Sequence, residues 1–371
     1  MALLPKRSLL ALASALSLAG CSQDTENPFA AGSPLGRLRP TAAIVFTSDA
    51  YAPRPGSGRE VFAIDEDGAG MTRLTLCNVD TRKCDSSEVA PAPDGRRLAI
   101  RRSTADSNGD GKVAAGDAET IVIADLQRGV EGKLLLRARS ALAAGFISTD
   151  RMSGLDWSPL DDILVYSANG EGPAGLDDLF RTVPRPDTDS SQTRNLTFTP
   201  ALRERRPRVD PTGNVVVYER LDAATGKGEI WIWNPTPTLQ QRVTTGGETV
   251  GPALPGDQYV VGSDADPDYS PDGAFVAFRR LTDVGNGGLG LWDVMTVRTN
   301  RTSLTTLAGG PVYRSAPDWG PRGVVFSEID KLSGIARLVV VQPDGSDRRV
   351  LATLNGYDIA SPRWLPNIPA R

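Results

Sequence analysis

The sequence predicts an all-β fold, a six-bladed β-propeller, on three observations: a proline-centred turn phrase recurs six times, β-branched runs follow it in a fixed order, and the two chain ends supply complementary parts of one sheet. The phrase appears as Pro91-Ala92-Pro93-Asp94-Gly95, Trp157-Ser158-Pro159, Val209-Asp210-Pro211-Thr212-Gly213, Tyr269-Ser270-Pro271-Asp272-Gly273, Trp319-Gly320-Pro321-Arg322-Gly323 and Trp364-Leu365-Pro366. The prolines stand 66, 52, 60, 50 and 45 residues apart, which suits one four-stranded blade with loops of unequal length.

Each part of the repeat has a physical reason. Proline presets φ for the first corner of a tight turn, aspartate bonds its own backbone, and glycine takes the positive φ that other residues resist, so a strand reverses at each anchor. A β-branched or aromatic run follows the first five anchors, at 98–100, 163–166, 215–218, 275–278 and 324–326. A second run comes at 120–125, 178–183, 229–234, 290–295 and 337–342, and a third, shorter one ends on Leu-Thr or a variant of it, as in Leu196-Thr197 and Leu304-Thr305. Runs of this length between Gly, Pro, Asp and Asn are strand signals separated by turn signals. The aromatic two residues before the anchor proline (Trp157, Tyr269, Trp319, Trp364) sits in the strand entering the turn, where a large ring fills the gap between blades; these rings belong to the core.

The N-terminal part opens with strand-like 43–48, 60–65 and 72–75 and lacks the anchor strand, which the C-terminus supplies alone at 360–365. One C-terminal and three N-terminal strands therefore complete the sixth blade and remove the open edges of a linear array. The anchor phrase Pro-x-Trp-Ser-Pro-Asp-Gly, an aromatic-ended strand, a second strand and a closing Leu-Thr together resemble the TolB-like propeller repeat of the WD-repeat-like superfamily, from about Thr41 to Pro366. TolB proteins carry a separate N-terminal α/β domain, whereas here a tether is expected before the blades.

That expectation comes from the first forty residues. Lys6 and Arg7, an apolar run over 9–19 and Leu18-Ala19-Gly20-Cys21 form an export signal over 1–20 with a lipoprotein cleavage box, so Cys21 becomes the lipidated first residue and 21–40, rich in Ser, Pro, Gly and Ala, a flexible tether to a propeller spanning 41–371. The alternative is an ordinary soluble signal cleaved nearby. Ser22 stands where an aspartate would resemble an inner-membrane retention signal; resemblance to Gram-negative lipoproteins implies the outer membrane, facing the periplasm or the exterior. Beyond residue 20 the chain has 39 basic and 45 acidic residues, a formal charge of −6, which gives no electrostatic case for nucleic acid. A monomer held to the membrane by its anchor alone is expected.

With Cys21 lipidated, Cys77 and Cys84 remain, and in an oxidising periplasm they are expected to pair across a short polar turn, contributing about 2–3 kcal/mol. Residues 106–117 place oxygen ligands at positions 1, 3, 5 and 12 of a dodecamer, glycine at 6 and a β-branched residue at 8. This is a calcium-loop pattern resembling the EF-hand and dockerin type, with Asp106, Asn108, Asp110, Asp117 and the Lys112 carbonyl as ligands and a structural Ca2+ as the cofactor. Its flanks read as strands, and the bland alternative is an acidic hairpin tip that binds nothing.

The chain has no histidine, which excludes Ser-His-Asp and Cys-His arrangements; it also has no Gly-x-Ser-x-Gly elbow and no phosphate loop ending in Gly-Lys-Ser or Gly-Lys-Thr. Carboxylate pairs such as Asp161 and Asp162 leave a polysaccharide-active enzyme open as the alternative. A non-catalytic scaffold is favoured by topology. The loops between second and third strands and the connections between blades share one face, and they are the long ones: 102–119, 138–154, 167–177, 246–266, 282–288 and 327–335. Elaborated loops on one rim of a rigid scaffold are where recognition resides, so envelope proteins or glycans are expected there, with Arg151, Asp177 and Asp264 as contact residues.

Overall fold

A computed structural model describes residues 42–366 apart from 51–57, 76–83, 108, 110, 112, 115–116, 118, 129–133, 142–151, 170–175, 185–192, 200, 236–237, 250–253, 255–258 and 285–289. Among these residues the secondary structure is strand only. In chain order, the N-terminus gives β1 (Ala42–Ser48), β2 (Glu60–Asp65) and β3 (Thr72–Arg73). The second blade holds β4 (Asp85–Pro91), β5 (Arg97–Ser103), β6 (Glu119–Arg128) and β7 (Leu134–Ala141); the third holds β8 (Ser153–Trp157), β9 (Leu164–Asn169), β10 (Asp177–Thr182) and β11 (Arg194–Asn195). The fourth is β12 (Leu202–Val209), β13 (Val216–Asp222), β14 (Gly228–Pro235) and β15 (Thr238–Arg242), and the fifth β16 (Asp264–Tyr269), β17 (Phe275–Asp283), β18 (Leu291–Arg298) and β19 (Thr305–Ala308). In the sixth, β20 (Tyr313–Arg314) and β21 (Asp318–Gly320) are two pieces of one inner strand, followed by β22 (Gly323–Asp330), β23 (Ile335–Val341) and β24 (Arg349–Asn355). The chain closes with β25 (Ala360–Trp364).

Six antiparallel sheets result, and the first has the order β25-β1-β2-β3, as the complementary chain ends predict. Ile44 faces Trp364, Val45 faces Arg363 and Thr47 faces Ala360 in the closing ladder, and the Leu365 N–H donates to the Ala43 carbonyl at 2.7 Å. The anchor turns lie between first and second strands: Gly95 donates to Ala92, Gly213 to Asp210 and Gly273 to Ser270, at 2.8 to 2.9 Å, and all three glycines have positive φ.

The anchor aromatics pack between blades. Trp157 shares a buried cluster with Ala90 and Ala92 of the preceding blade, Tyr269 with Val217 and Ile230, and Trp364 with Val325. Contact at the closure is tight enough that a Cβ on Gly320 would lie 2.2 Å from the Trp364 ring, and the Trp364 indole N–H donates to the Gly323 carbonyl at 3.1 Å. Two expected loops are shorter than the sequence suggests. β22 and β23 pair through Asp330 and Ile335, so most of 327–335 is ladder, and β7 takes up 138–141. In both, strand propensity carries the ladder past the polar residues that read as loop.

Closure by one large ring gives a direct expectation. Trp364→Ala lowers the unfolding free energy by about 3–5 kcal/mol through the cavity it leaves. Gly320→Ala lowers it by about 1–3 kcal/mol through overpacking against the same ring. Denaturant unfolding of the two variants checks both; values within about 0.5 kcal/mol of wild type, the ordinary range for an uninvolved surface position, would contradict the packing account.

Candidate functional site

The inner strand of each blade meets the axis with no partner strand on that side, and it is irregular there. Register shifts fall between Ser86 and Glu88, Ser153 and Asp156, Arg205 and Arg208, and Ala265 and Asp268; the sixth blade is interrupted between β20 and β21, and the closing ladder shifts between Val45 and Thr47. In five blades the bulge takes in the residue five before the anchor proline, Gly154, Arg206, Asp266, Ala316 and Ser361; in the second it falls one residue earlier, on Ser87, and Glu88 pairs with Arg101. A proline follows four of them, Pro207, Pro267, Pro317 and Pro362, where the missing N–H costs no ladder bond. Gly154, Arg206, Asp266 and Ser361 have positive φ, and a Cβ on Gly154 would lie 2.0 Å from Arg206 Cα, so only glycine fits there.

All six bulge residues line a cavity of about 430 Å3 on the axis. Further wall comes mostly from strand ends beside the second-to-third-strand loops and the blade connections: Arg59 before β2, Arg101 late in β5, Glu119 opening β6, Asp177 opening β10 and Tyr313 opening β20, with Arg279 in the middle of β17. The cavity therefore opens on the face with the long loops.

Its walls are built of ion pairs. Arg59 grips Asp85 through Nε at 3.1 Å and Nη2 at 2.6 Å; Arg101 lies 3.5 Å from Glu119 and 3.7 Å from Glu88; Arg205 bonds Asp177 at 2.5 Å; and Arg206 forms an ion pair with Asp266 at 2.6 Å, with Arg279 beside the other oxygen of Asp266. Arg279 also lies over the Trp292 ring at 4.2 Å. Burial pushes the Glu88 carboxyl up, but Arg101, Arg208 and the Leu155 N–H bring it below its ordinary value. Asp266 is likewise held low, by Arg206 and Arg279 against burial. Both are carboxylates at neutral pH.

Three residues before the anchor proline a second ring closes the floor: Asp156, Arg208, Asp268, Asp318 and Arg363, with Ala90 at the sixth place. Arg363 reaches from the first blade to Asp156 in the third and to Asp318 in the sixth, at 2.7 Å, while Arg208 lies 3.5 Å from Glu88 and 3.9 Å from Asp268. Carboxylates here also accept N–H bonds from the next blade: Asp156 from Val209 at 2.8 Å, Asp268 from Trp319 at 2.5 Å, Asp318 from Trp364 at 2.7 Å, and Glu88 from Gly154 and Leu155 at 3.0 and 2.9 Å. Burial, and then the neighbouring Asp318 charge, raise the Asp268 carboxyl well above the ordinary range.

The residues expected from the sequence divide accordingly. Asp177 lies in the cavity wall, buried and paired with Arg205, and not on an outer loop. Asp264 departs from its expected contact role: it is fully buried and held by Arg280 at 2.6 and 2.9 Å, because β16 starts two residues earlier than an exposed loop would allow. Arg151, Cys21, Cys77, Asn108, Asp110 and Lys112 lie outside the described residues; Cys84 is buried just before β4. In the 106–117 loop, Asp106 accepts from the Gly109 and Gly111 N–H groups at 2.7 and 2.8 Å, and Asp117 from Ser107 and Ala114 at 2.8 and 2.9 Å. The flanks are strands paired through Ser103 and Glu119, as expected. Both axial rings escaped the sequence reading, although counting back from the anchor prolines finds them, because fixed offsets from a repeat mark fixed places in the fold.

A scan against protein-family models and a search of curated proteins find no match. Among solved structures, the chain is similar to TolB from Acinetobacter baumannii, with 14% identity and a TM-score of 0.61 over 87% of this chain and 66% of that one. It spans just under two thirds of that protein. It is also similar to a chain of a nidogen–laminin complex, at 10% identity and a TM-score of 0.57 over 88% of this chain and 99% of that one. A structure described as TolB from Agrobacterium tumefaciens matches at 14% identity and a TM-score of 0.51, over 89% of this chain and 99% of that one. At these identities the likeness is one of fold: the chain is a TolB-like six-bladed propeller.

Beside the cavity, on β12, Glu204 is fully buried and neither carboxyl oxygen has a well-formed hydrogen bond; burial pushes it up to about 7 against the pull of the Thr197 and Thr199 hydroxyls. A carboxyl raised in the folded state favours folding while protonated, so this contribution is full below its unfolded value near 4.5 and is lost as pH rises through about 7. Glu204→Gln removes the loss. The Tm advantage of the variant over wild type should grow by several degrees between pH 5 and pH 8; a pH-independent difference would contradict the buried carboxyl.

Proposed function

We propose that this protein is a non-catalytic binding scaffold of the bacterial cell envelope, anchored to the outer membrane through lipidated Cys21, that captures protein partners on the face into which the axial cavity opens. The observation that carries this reading is the ring of bulge residues. Arg206, Asp266 and Ser361 hold positive φ without being glycine, a conformation that costs on the order of 1–3 kcal/mol per residue and that clusters at ligand-holding sites. Strain repeated at one position of the repeat and directed into one cavity fits recognition better than stability. The walls fit binding rather than proton transfer too, since Glu88 and Asp266 are held ionised by arginines and the sequence offers no histidine. Similarity to a chain from a nidogen–laminin complex supports a protein partner, and similarity to TolB supports the envelope.

Calcium enters this reading as a brace for the 106–117 loop. Asp106 and Asp117 draw the first and last positions of the loop inward through four backbone N–H bonds, and Gly109 and Gly111 take positive φ with open space about them, a backbone that suits the calcium-loop pattern. Asp106, Asn108, Asp110, Asp117 and the Lys112 carbonyl would hold the ion, which would supply a fixed charge that stiffens the hairpin.

The test is capture of partners by the full lipidated chain from its own envelope, comparing wild type with Ala316→Trp. Ala316 lines the cavity with an ordinary backbone, so a tryptophan there fills the space. The expected result is a protein partner retained by wild type and reduced about tenfold or more by the variant, equivalent to about 1.4 kcal/mol. A chelator, or Asp106→Ala, should weaken capture to a lesser degree. Undiminished capture by Ala316→Trp, or a polysaccharide that copurifies and is turned over, would contradict the proposal.

A further inference from the structure

The polarity of the cavity wall is not symmetric in depth, and this names a partner chemistry. For four wall arginines the guanidinium is nearer the solvent than its carboxylate, while Arg279, at 6% beside Asp266 at 7%, lies level with it. Side-chain exposure is 18% for Arg59 against 2% for Asp85, 15% for Arg101 against 8% for both Glu88 and Glu119, 12% for Arg205 against 3% for Asp177, and 21% for Arg206 against 7% for Asp266. The four arginines come from three different blades, so the ordering belongs to the rim and not to one loop. An entering group meets arginines first, with the neutralising carboxylates behind them.

A guanidinium has five N–H donors, and a carboxylate engages two at most, as Asp85 does with Arg59 through Nε and Nη2. Donors of Arg59 therefore remain for a second acceptor. The whole chain carries a net charge of −4, so this rim is a local reversal of sign that focuses attraction for anions. Resting on the binding role proposed above, we infer that the cavity takes a carboxylate-bearing, acidic peptide segment of its partner.

Size and shape favour a peptide over an anionic glycan. At about 430 Å3 the cavity lies at the lower end of the ~300–1,000 Å3 of small-ligand clefts, enough for a short extended stretch and not for a folded domain. Tyr313 is the single aromatic among the described residues of its lining, so pyranose rings would find little to stack on there, whereas arginine forks match side-chain carboxylates bidentately.

The experiment is fluorescence anisotropy with the full chain and labelled hexa-aspartate, hexa-lysine and a neutral Gly-Ser hexamer, each at low and high salt, with oligogalacturonate as competitor. Hexa-aspartate should bind at least about tenfold more tightly than the neutral peptide, hexa-lysine should not bind, and binding should weaken about tenfold between about 0.05 and 0.5 M salt as the rim charges are screened. Arg101→Gln and Arg206→Gln should each weaken hexa-aspartate several-fold and Arg101→Lys less, while Ala316→Trp abolishes it; the wild-type peptide and salt series stands even where a variant fails to fold. Equal binding of all three peptides, a preference for hexa-lysine, or displacement by oligogalacturonate at lower concentration than hexa-aspartate would overturn the inference. If hexa-aspartate fails while Ala316→Trp still blocks partner capture, the acidic ligand is wrong and the binding face stands; if hexa-aspartate binds while Ala316→Trp captures normally, the binding face falls.

Discussion

The axis of a propeller leaves one edge of every inner strand without a neighbour, and the arrangement of this molecule follows from how those backbone N–H groups are satisfied. A buried N–H without an acceptor costs on the order of 1–3 kcal/mol, and six converging edges multiply the problem. Here carboxylates on one blade accept from the inner strand of the next: Glu88 from Gly154 and Leu155, Asp156 from Val209, Asp268 from Trp319, and Asp318 from Trp364. Buried carboxylates then demand cations, and Arg208 and Arg363 reach across the axis to supply them. The ring of charge thus answers to the backbone before it answers to any ligand.

The same constraint shapes the cavity. Bulges and prolines turn one residue of each inner strand toward the axis, and above the charged floor those residues form the wall that carries the arginine rim. Breaking any one pair leaves an uncompensated buried charge, which holds wall and floor to one arrangement. Rigidity of this kind keeps the ordering cost of binding low, which is what a scaffold that holds a partner requires.

Much of the fold was legible because it rests on local rules. Pro-Asp-Gly turns, β-branched runs and aromatics two residues before the anchor mark strands and seams, and the missing first strand of the N-terminal blade identifies 360–364 as its completion. The face on which the cavity opens was legible as well, because strand alternation decides which loops lie together. Its chemistry was not. Asp264 and Asp177 read as loop acids, yet Asp264 is sealed against Arg280 and Asp177 sits in the wall with Arg205, because charge pairing at the axis draws polar residues inward against their usual preference. Arg206, Asp266 and Ser361 carried no signal of their own type; only their common distance from an anchor proline marks them.

Native-state hydrogen exchange at the Trp364, Trp319 and Val209 amides, in wild type and in Asp318→Asn, tests the carboxylate seam most directly. The account predicts that all three exchange as slowly as mid-ladder residues such as Val325 and Val340, and that the substitution speeds Trp364 while leaving Val209 slow. Rapid exchange of all three in the wild-type protein would mean that the inner edges are satisfied by water, and the axial ring would lose its reason to exist.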